Sequence, residues 1–184
     1  MTPSDPAFKQ AIYNALCSCL NLDPASADAR KLIHEAYNEP ENTPRPARTV
    51  DIIYWSAEPD DSRPDPVSYS HEAAGTSGKV STTVMRPLAY NLRVVCYGSN
   101  SESNAHRIRS FIYLDGNNFP RRILRKAGIY PVKDPPKPMF LFEPEGSLWR
   151  RRTDVIIPLT VKDEAVCGTL NGSIQEIPGV IIYD

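Results

Sequence analysis

An α+β domain, with a mostly antiparallel β-sheet, two or three helices packed on one face and extended proline-rich loops, is the fold this sequence predicts. Three observations carry that expectation. Val155, Ile157, Leu159 and Val161 alternate with Asp154, Ile156, Thr160 and Lys162 along one period-two strand. Leu88, Tyr90, Leu92, Val94 and Cys96 mark one face of a second. Before and between these strands, apolar residues recur at helical spacing. With 184 residues and 41% hydrophobic content the chain is large enough for one domain with its own core. Its expected parts are a helix and proline-rich connector over 5–47, an α+β core over 48–164 and a C-terminal hairpin over 165–184.

Taken in order, Asp5 as N-cap and Pro6 at the first helical position open a helix whose core stripe is Phe8, Ile12, Ala15, Leu16 and Cys19. A weaker helical segment follows from Ala27 to Tyr37, with a narrow stripe of Leu32, Ile33, Ala36 and Tyr37. The run EPENTPRPAR then connects to TVDIIYWSA, a strand rich in β-branched and aromatic residues. EPDDSRPDP, VSYSH and EAAGTSGK form a long hairpin excursion before the strand RPLAYNLRVVCYGS. Ser101 or Ser103 caps the next helix, which buries Ala105, Ile108, Phe111 and Ile112 and turns Arg107 and Arg109 outward. A second short helix buries Phe119, Ile123, Leu124 and Ala127 and stops at Gly128. Two short strands, 173–177 and 180–183, turn at Pro178 and Gly179.

Composition narrows the function classes. A formal charge of -1 gives no global reason to expect nucleic-acid or membrane binding, although acids dominate residues 1–65 and bases dominate 107–152. Many of the 18 prolines fall in 40–66 and 131–144, and since proline removes a backbone donor and fixes φ, both stretches are expected to be outward-reaching extended loops. Cys17, Cys19, Cys96 and Cys167 contain no CxxC pair and are expected as reduced thiols. The amino terminus lacks a basic region followed by an apolar run, and no stretch approaches the roughly 20 apolar residues that span a bilayer. A soluble protein made in the cytoplasm, with no membrane partner, is the expectation.

The chemistry of catalysis finds little to work with. His34, His71 and His106 have no second ligand at a metal-binding offset, and Cys17 and Cys19 on one helix point about 200° apart. No GxSxG, cysteine–histidine signature, GxGxxG or GKS/T loop occurs, and Asp60, Asp61 and Asp65, set among prolines, read as a solvated loop. No enzyme activity, metal or cofactor is expected.

Concentrated charge is confined to Arg121, Arg122, Arg125 and Lys126 on the second short helix and to the triplet Arg150, Arg151 and Arg152 after Trp149. Such a face suits phosphate contact, plain solvation, or pairing with an acidic surface of a neighbouring subunit. The third uses both unusual charge runs, with Asp60 and Asp61 in the 58–65 loop as the acidic side.

A short basic helix, NNFPRRILRKAGIYPV, followed by an aromatic–arginine lead into an alternating strand, LWRRRTDVIIPLTV, resembles the neck or tail terminator proteins of tailed bacteriophages. The resemblance covers roughly residues 48–164. It implies a small α+β subunit of the virion, assembled in the host cytoplasm. Such subunits form a ring, expected to be a hexamer, that caps the tail tube, stops its polymerisation and offers a docking surface to the head completion or connector protein. DNA would pass through the ring without sequence-specific binding. Trp149, Arg151, Arg152 and Asp154 carry over as structural or interface positions; Arg121, Arg122, Arg125, Lys126, Asp60 and Asp61 are the further candidates for subunit or tail-tube contact. The alternatives are a neck stopper or a nucleic-acid-binding adaptor using the helix at 118–127.

Overall fold

The computed structural model describes residues 2–36, 49–63, 68–74, 79–116, 119–132, 137–145 and 148–171, and for 68–74, 79–84, 145, 148 and 164–171 it describes the backbone alone. The fold is α+β, as the sequence predicts. In chain order the elements are α1 (Pro6–Leu20), α2 (Ala27–Leu32), β1 (Ile33–Glu35), β2 (Ile52–Pro59), β3 (Ser68–Ala74) and β4 (Lys79–Tyr97). After them come α3 (Ser101–Phe111), α4 (Pro120–Lys126), β5 (Ile129–Pro131), β6 (Met139–Glu145) and β7 (Leu148–Asn171). The seven strands form one sheet in the order β1-β2-β4-β7-β5, with β3 also on β4 and β6 also on β7. Only β1 and β2 pair in parallel.

Two long strands make the frame. All 19 residues of β4 have a partner in the 24-residue β7, so at about 3.3 Å per residue β7 runs for roughly 80 Å. In the middle of the ladder Leu92 faces Ile157, Val94 faces Val155 and Tyr90 faces Leu159. All six are buried, on the face that carries the helices. Ile53 and Trp55 of β2, Ile33 of β1 and Ile129 of β5 extend that face sideways through their register. Against it pack Phe8, Ile12 and Leu16 of α1, Ala105 and Ile108 of α3, and Leu124 of α4.

The helix boundaries follow local chemistry. Asp5 caps α1 by accepting from the Ala7 N–H at 2.8 Å, and Asn21 ends it in the left-handed region at φ 58°. The buried stripe of α1 is wider than expected, for Ala11, Cys17 and Leu20 are also covered. Gly128, at φ 69°, ends α4.

Several expectations are corrected. The helical segment expected over 27–37 stops at Leu32, because Ile33, His34 and Glu35 pair in parallel with Ile53, Tyr54 and Trp55. Neither Ser101 nor Ser103 caps α3: Ser101 is its buried first residue, and the N-cap is Asn100. Asp51 supplies the anchoring, accepting from the Asn100 backbone N–H at 2.9 Å and from its Nδ2 at 2.6 Å. Phe111 and Phe119, expected to be buried, are exposed, while Pro120 is buried in place of Phe119. The expected excursion is a hairpin of β3 with the first half of β4. Residues 165–171, expected to open a terminal hairpin, continue β7; the strands placed at 173–177 and 180–183, like the connector EPENTPRPAR up to Arg48, lie outside the described residues.

Gly98 has the clearest reason to be glycine. Its φ is 99°, and a Cβ there would stand 2.3 Å from Asp51 Oδ1 and 2.7 Å from Asp51 Cα. Gly98→Ala is therefore expected to cost about 2–4 kcal/mol through backbone strain and the displaced Asp51 anchor. Leu92→Ala, which empties a fully buried site, is expected to cost about 2–5 kcal/mol. Both are read from the denaturant midpoint at unchanged slope; wild-type midpoints would contradict the packing described.

Candidate assembly interface

β6 and β7 form a two-stranded ribbon beyond the main sheet. β4 ends opposite Arg152, so Leu148–Arg151 of β7 have β6 as their strand neighbour among the described residues. Phe140 stands across from Thr153, Phe142 from Arg151 and Pro144 from Trp149. Odd-numbered residues of β7 point to the helix-bearing face, so Phe140, Phe142, Pro144 and Trp149 share that face at the ribbon. Phe142 is 69% exposed, Trp149 65% and Phe140 50%. The base of this aromatic face is fixed to α3, where Phe140 lies against His106 at 6.2 Å between ring centroids and Arg151 bonds to Glu102.

The 131–144 stretch, expected as outward loops, is corrected by the structure: the end of β5 and most of β6 lie there. The physical reason is that Pro131 and Pro144 sit on edge strands, where a missing N–H leaves no ladder bond broken. The alternation of Phe140 and Phe142 with Leu141 and Glu143 was the available signal. The proline frequency masked it.

The arginine triplet has three separate fates. Arg151 points to the helix side and to Glu102. Arg152 points to the opposite, helix-free face, where Nε and Nη2 donate to the two carboxylate oxygens of Asp154 at 2.6 Å each. Asp154 is only 3% exposed while Arg152 is half-buried over it, and the hydrogen bonds of this fork raise the Arg152 guanidinium above its already high ordinary value. Arg150 is 5% exposed and stacks on the Tyr97 ring at 4.3 Å, yet its Nε and Nη2 have no acceptor. Its register partner Glu143 instead accepts from the Tyr97 hydroxyl at 2.9 Å. Burial first, and then that hydrogen bond, push the Tyr97 phenol up to about 12.

On α4, Arg125 and Arg121 reach Asp115 at 2.8 and 3.9 Å. Arg122 and Lys126 are exposed and make no ion pair among the described residues. Asp60 looks inward: it accepts from the Ser62 hydroxyl and Arg63 Nε at 2.6 Å each, which hold its carboxyl below the usual range. Arg63 in turn donates to the carbonyls of Tyr90 and Leu159, beside Pro158, which has no N–H to give the ladder. Of the acidic pair Asp61 alone is exposed. The structure does not bring α4, the arginine triplet and the 58–63 loop into one cluster. Sequence reasoning missed the aromatic ribbon and the stranded guanidinium of Arg150.

Cys17, Cys19 and Cys96 are buried free thiols. Burial raises all three, Cys96 to about 12 with Asp154 and Asp51 adding to the effect. Among the described residues no group of three or more His, Cys, Asp or Glu is placed to hold a metal ion, and no helix is long and apolar enough to cross a membrane.

Neighbouring arginines should respond with opposite signs. Arg152→Met leaves the Asp154 carboxylate buried without its partner and is expected to cost about 3–5 kcal/mol. Arg150→Met removes an unpaired buried charge and gives up a stacking contact of about 2 kcal/mol, so stability is expected to hold or rise. Equal losses in urea denaturation would show that Arg150 has an acceptor in solution. Tyr97 makes a pH prediction. Its folded value lies above the ordinary 10, so its contribution to stability is complete below about pH 10 and is lost as pH rises through about 12. Tyrosine titration followed by NMR should show a phenol titrating near pH 12 that is missing in Tyr97→Phe; the absence of any such phenol in the wild type would contradict this.

No protein-family model matches the chain, and no curated protein matches its sequence.

Proposed function

We propose that this chain is a structural subunit of a bacteriophage tail or neck, of the terminator kind, which assembles into a ring on the last tier of the tail tube, stops tube growth and presents a surface to the head connector. It works by binding and not by turnover. The observation that carries this reading is the ribbon bearing Phe140, Phe142 and Trp149, held out from the sheet by β7 and braced on α3. Exposed apolar groups concentrated in one patch mark an interaction surface. A rigid strand that continues into the core is a suitable mount for one. The resemblance in the arrangement of the basic helix and the Trp149–Val161 strand supplies the identity of the partners: the tail tube protein, the head completion protein and further copies of the chain, expected to number six.

The disposition of the arginines favours protein contact over the nucleic-acid adaptor. Arg121 and Arg125 are engaged by Asp115, Arg151 by Glu102 and Arg152 by Asp154, and Arg150 lies beneath Tyr97. Within these two basic runs a phosphate backbone would be left with Arg122 and Lys126, few cations for the salt-dependent affinity that several phosphate contacts give. DNA would then pass the ring without being read.

Native mass and negative-stain imaging of the purified protein, alone and with tail tubes, test the proposal. Rings of about six subunits, free or seated on tube ends, are expected. A monomer that also leaves the tubes uncapped would sink it, and a DNA shift that weakens steeply with salt would favour the adaptor.

A further inference from the structure

We infer that the helix-free face of the sheet receives a carboxylate, the acidic side chain of a partner polypeptide, in a cleft between Arg93 and Arg152. The inference rests on the assembly reading for the source of that polypeptide and names the chemistry it must carry. The cleft has a volume of about 160 Å³ and is walled chiefly by Tyr54, Ser56, Arg93, Val95, Tyr97 and Arg152. Register explains why these side chains meet. Tyr54 pairs with Val95, Ser56 with Arg93 and Tyr97 with Arg152, so three neighbouring strands turn them to the face opposite the helices. The rings of Tyr54 and Tyr97 stand edge to face with centroids 6.2 Å apart and make one aromatic wall.

Charge selects the occupant. Arg93 is exposed and makes no hydrogen bond or ion pair among the described residues. Arg152 commits Nε and Nη2 to Asp154 and keeps Nη1 uncommitted. Against the Tyr97 ring lies Arg150, whose buried Nε and Nη2 have no acceptor. Beside these three cations stand two acids, Asp154 bound by Arg152 and Glu143 bound by the Tyr97 hydroxyl, so positive charge is in surplus. Glu58 lies farther out on β2 and makes no ion pair among the described residues. A buried guanidinium without an acceptor costs stability in the free subunit, and an anion brought into its field offsets that cost.

Size and shape narrow the anion. About 150 Å³ holds a benzene-sized group, whereas drug-sized ligands occupy roughly 300 Å³ or more, so the cleft admits the end of one side chain and not a nucleotide. A carboxylate is planar, matches the guanidinium fork and lies flat beside a tyrosine ring. A phosphodiester brings ester arms on either side that this volume does not take.

The test follows the full chain by NMR through its arginine Nε–H and tyrosine ring signals. The probe is an end-blocked tripeptide with glutamate between two glycines, and its glutamine counterpart is the neutral control at matched ionic strength. The glutamate peptide is expected to shift the Arg93, Tyr54 and Tyr97 signals to saturation; the glutamine peptide is expected to leave them in place. Arg93→Gln changes an exposed site, should melt like the wild type, and is expected to bind the glutamate peptide about tenfold more weakly through loss of a charge-assisted hydrogen bond. Arg150→Met leaves the cleft walls standing and removes only the charge against Tyr97, so a loss of about threefold is expected. No shift with the glutamate peptide, equal shifts with both peptides, or wild-type affinity in either variant overturns the proposal. A response to inorganic phosphate but not to the glutamate peptide also overturns it and favours the adaptor. Peptide silence together with wild-type rings would reject the cleft and keep the ring reading. Saturable binding by a chain that neither rings nor caps tubes would do the reverse.

Discussion

The pairing of β4 with β7 is the constraint on which the rest of this fold depends. Each long strand serves two different neighbours in succession: β4 holds β3 along its first half and β2 along its second, while β7 holds β6 along its first part and β5 farther on. Register is fixed in the middle, where a one-residue slip of β4 against β7 would turn Leu92 and Val94 together away from the helices. The ladder does shift once, between Ser81 and Thr82, where Gly168 of β7 is left without a partner. That shift falls near the start of β4, ten residues or more from Leu92 and Val94.

How much of this was legible in the sequence follows from how each element is stabilised. The two long strands announced themselves because one face is buried, so burial imposes a visible period of two. The first helix did so through Asp5 and Pro6. What stayed hidden was fixed at a distance: the cap of α3 comes from Asp51, 49 residues from Asn100, and β1 exists because β2 is beside it. Phe111 and Phe119 fit a buried stripe by spacing, yet the helices turn them outward. In the candidate site, the basic helix was visible, but its pairing with Asp115 and the separation of three consecutive arginines onto two faces and three partners required coordinates. The strand parity of β7 would have suggested the face of each arginine but not its partner.

Placing charges inside the frame and aromatics outside it reverses the usual expectation for a surface arginine cluster. The triplet after Trp149 does structural work: Arg151 ties the ribbon to α3, Arg152 neutralises Asp154, and Arg150 stiffens Tyr97 on the helix-free face. Mounted this way, the ribbon carries its exposed rings on a base held from both sides of the sheet. Ordering costs at an interface fall when the contacting element is already rigid.

The burial of the cysteines has a consequence of a different kind. Thiols react with oxidants and disulfides as thiolates, and Cys17, Cys19 and Cys96 are held protonated and out of reach. Three potential sites of sulfenylation or mixed-disulfide formation are thereby silent. At these three positions the folded chain is indifferent to the redox poise around it, and a passage between reducing and oxidising surroundings exchanges no covalent bond there.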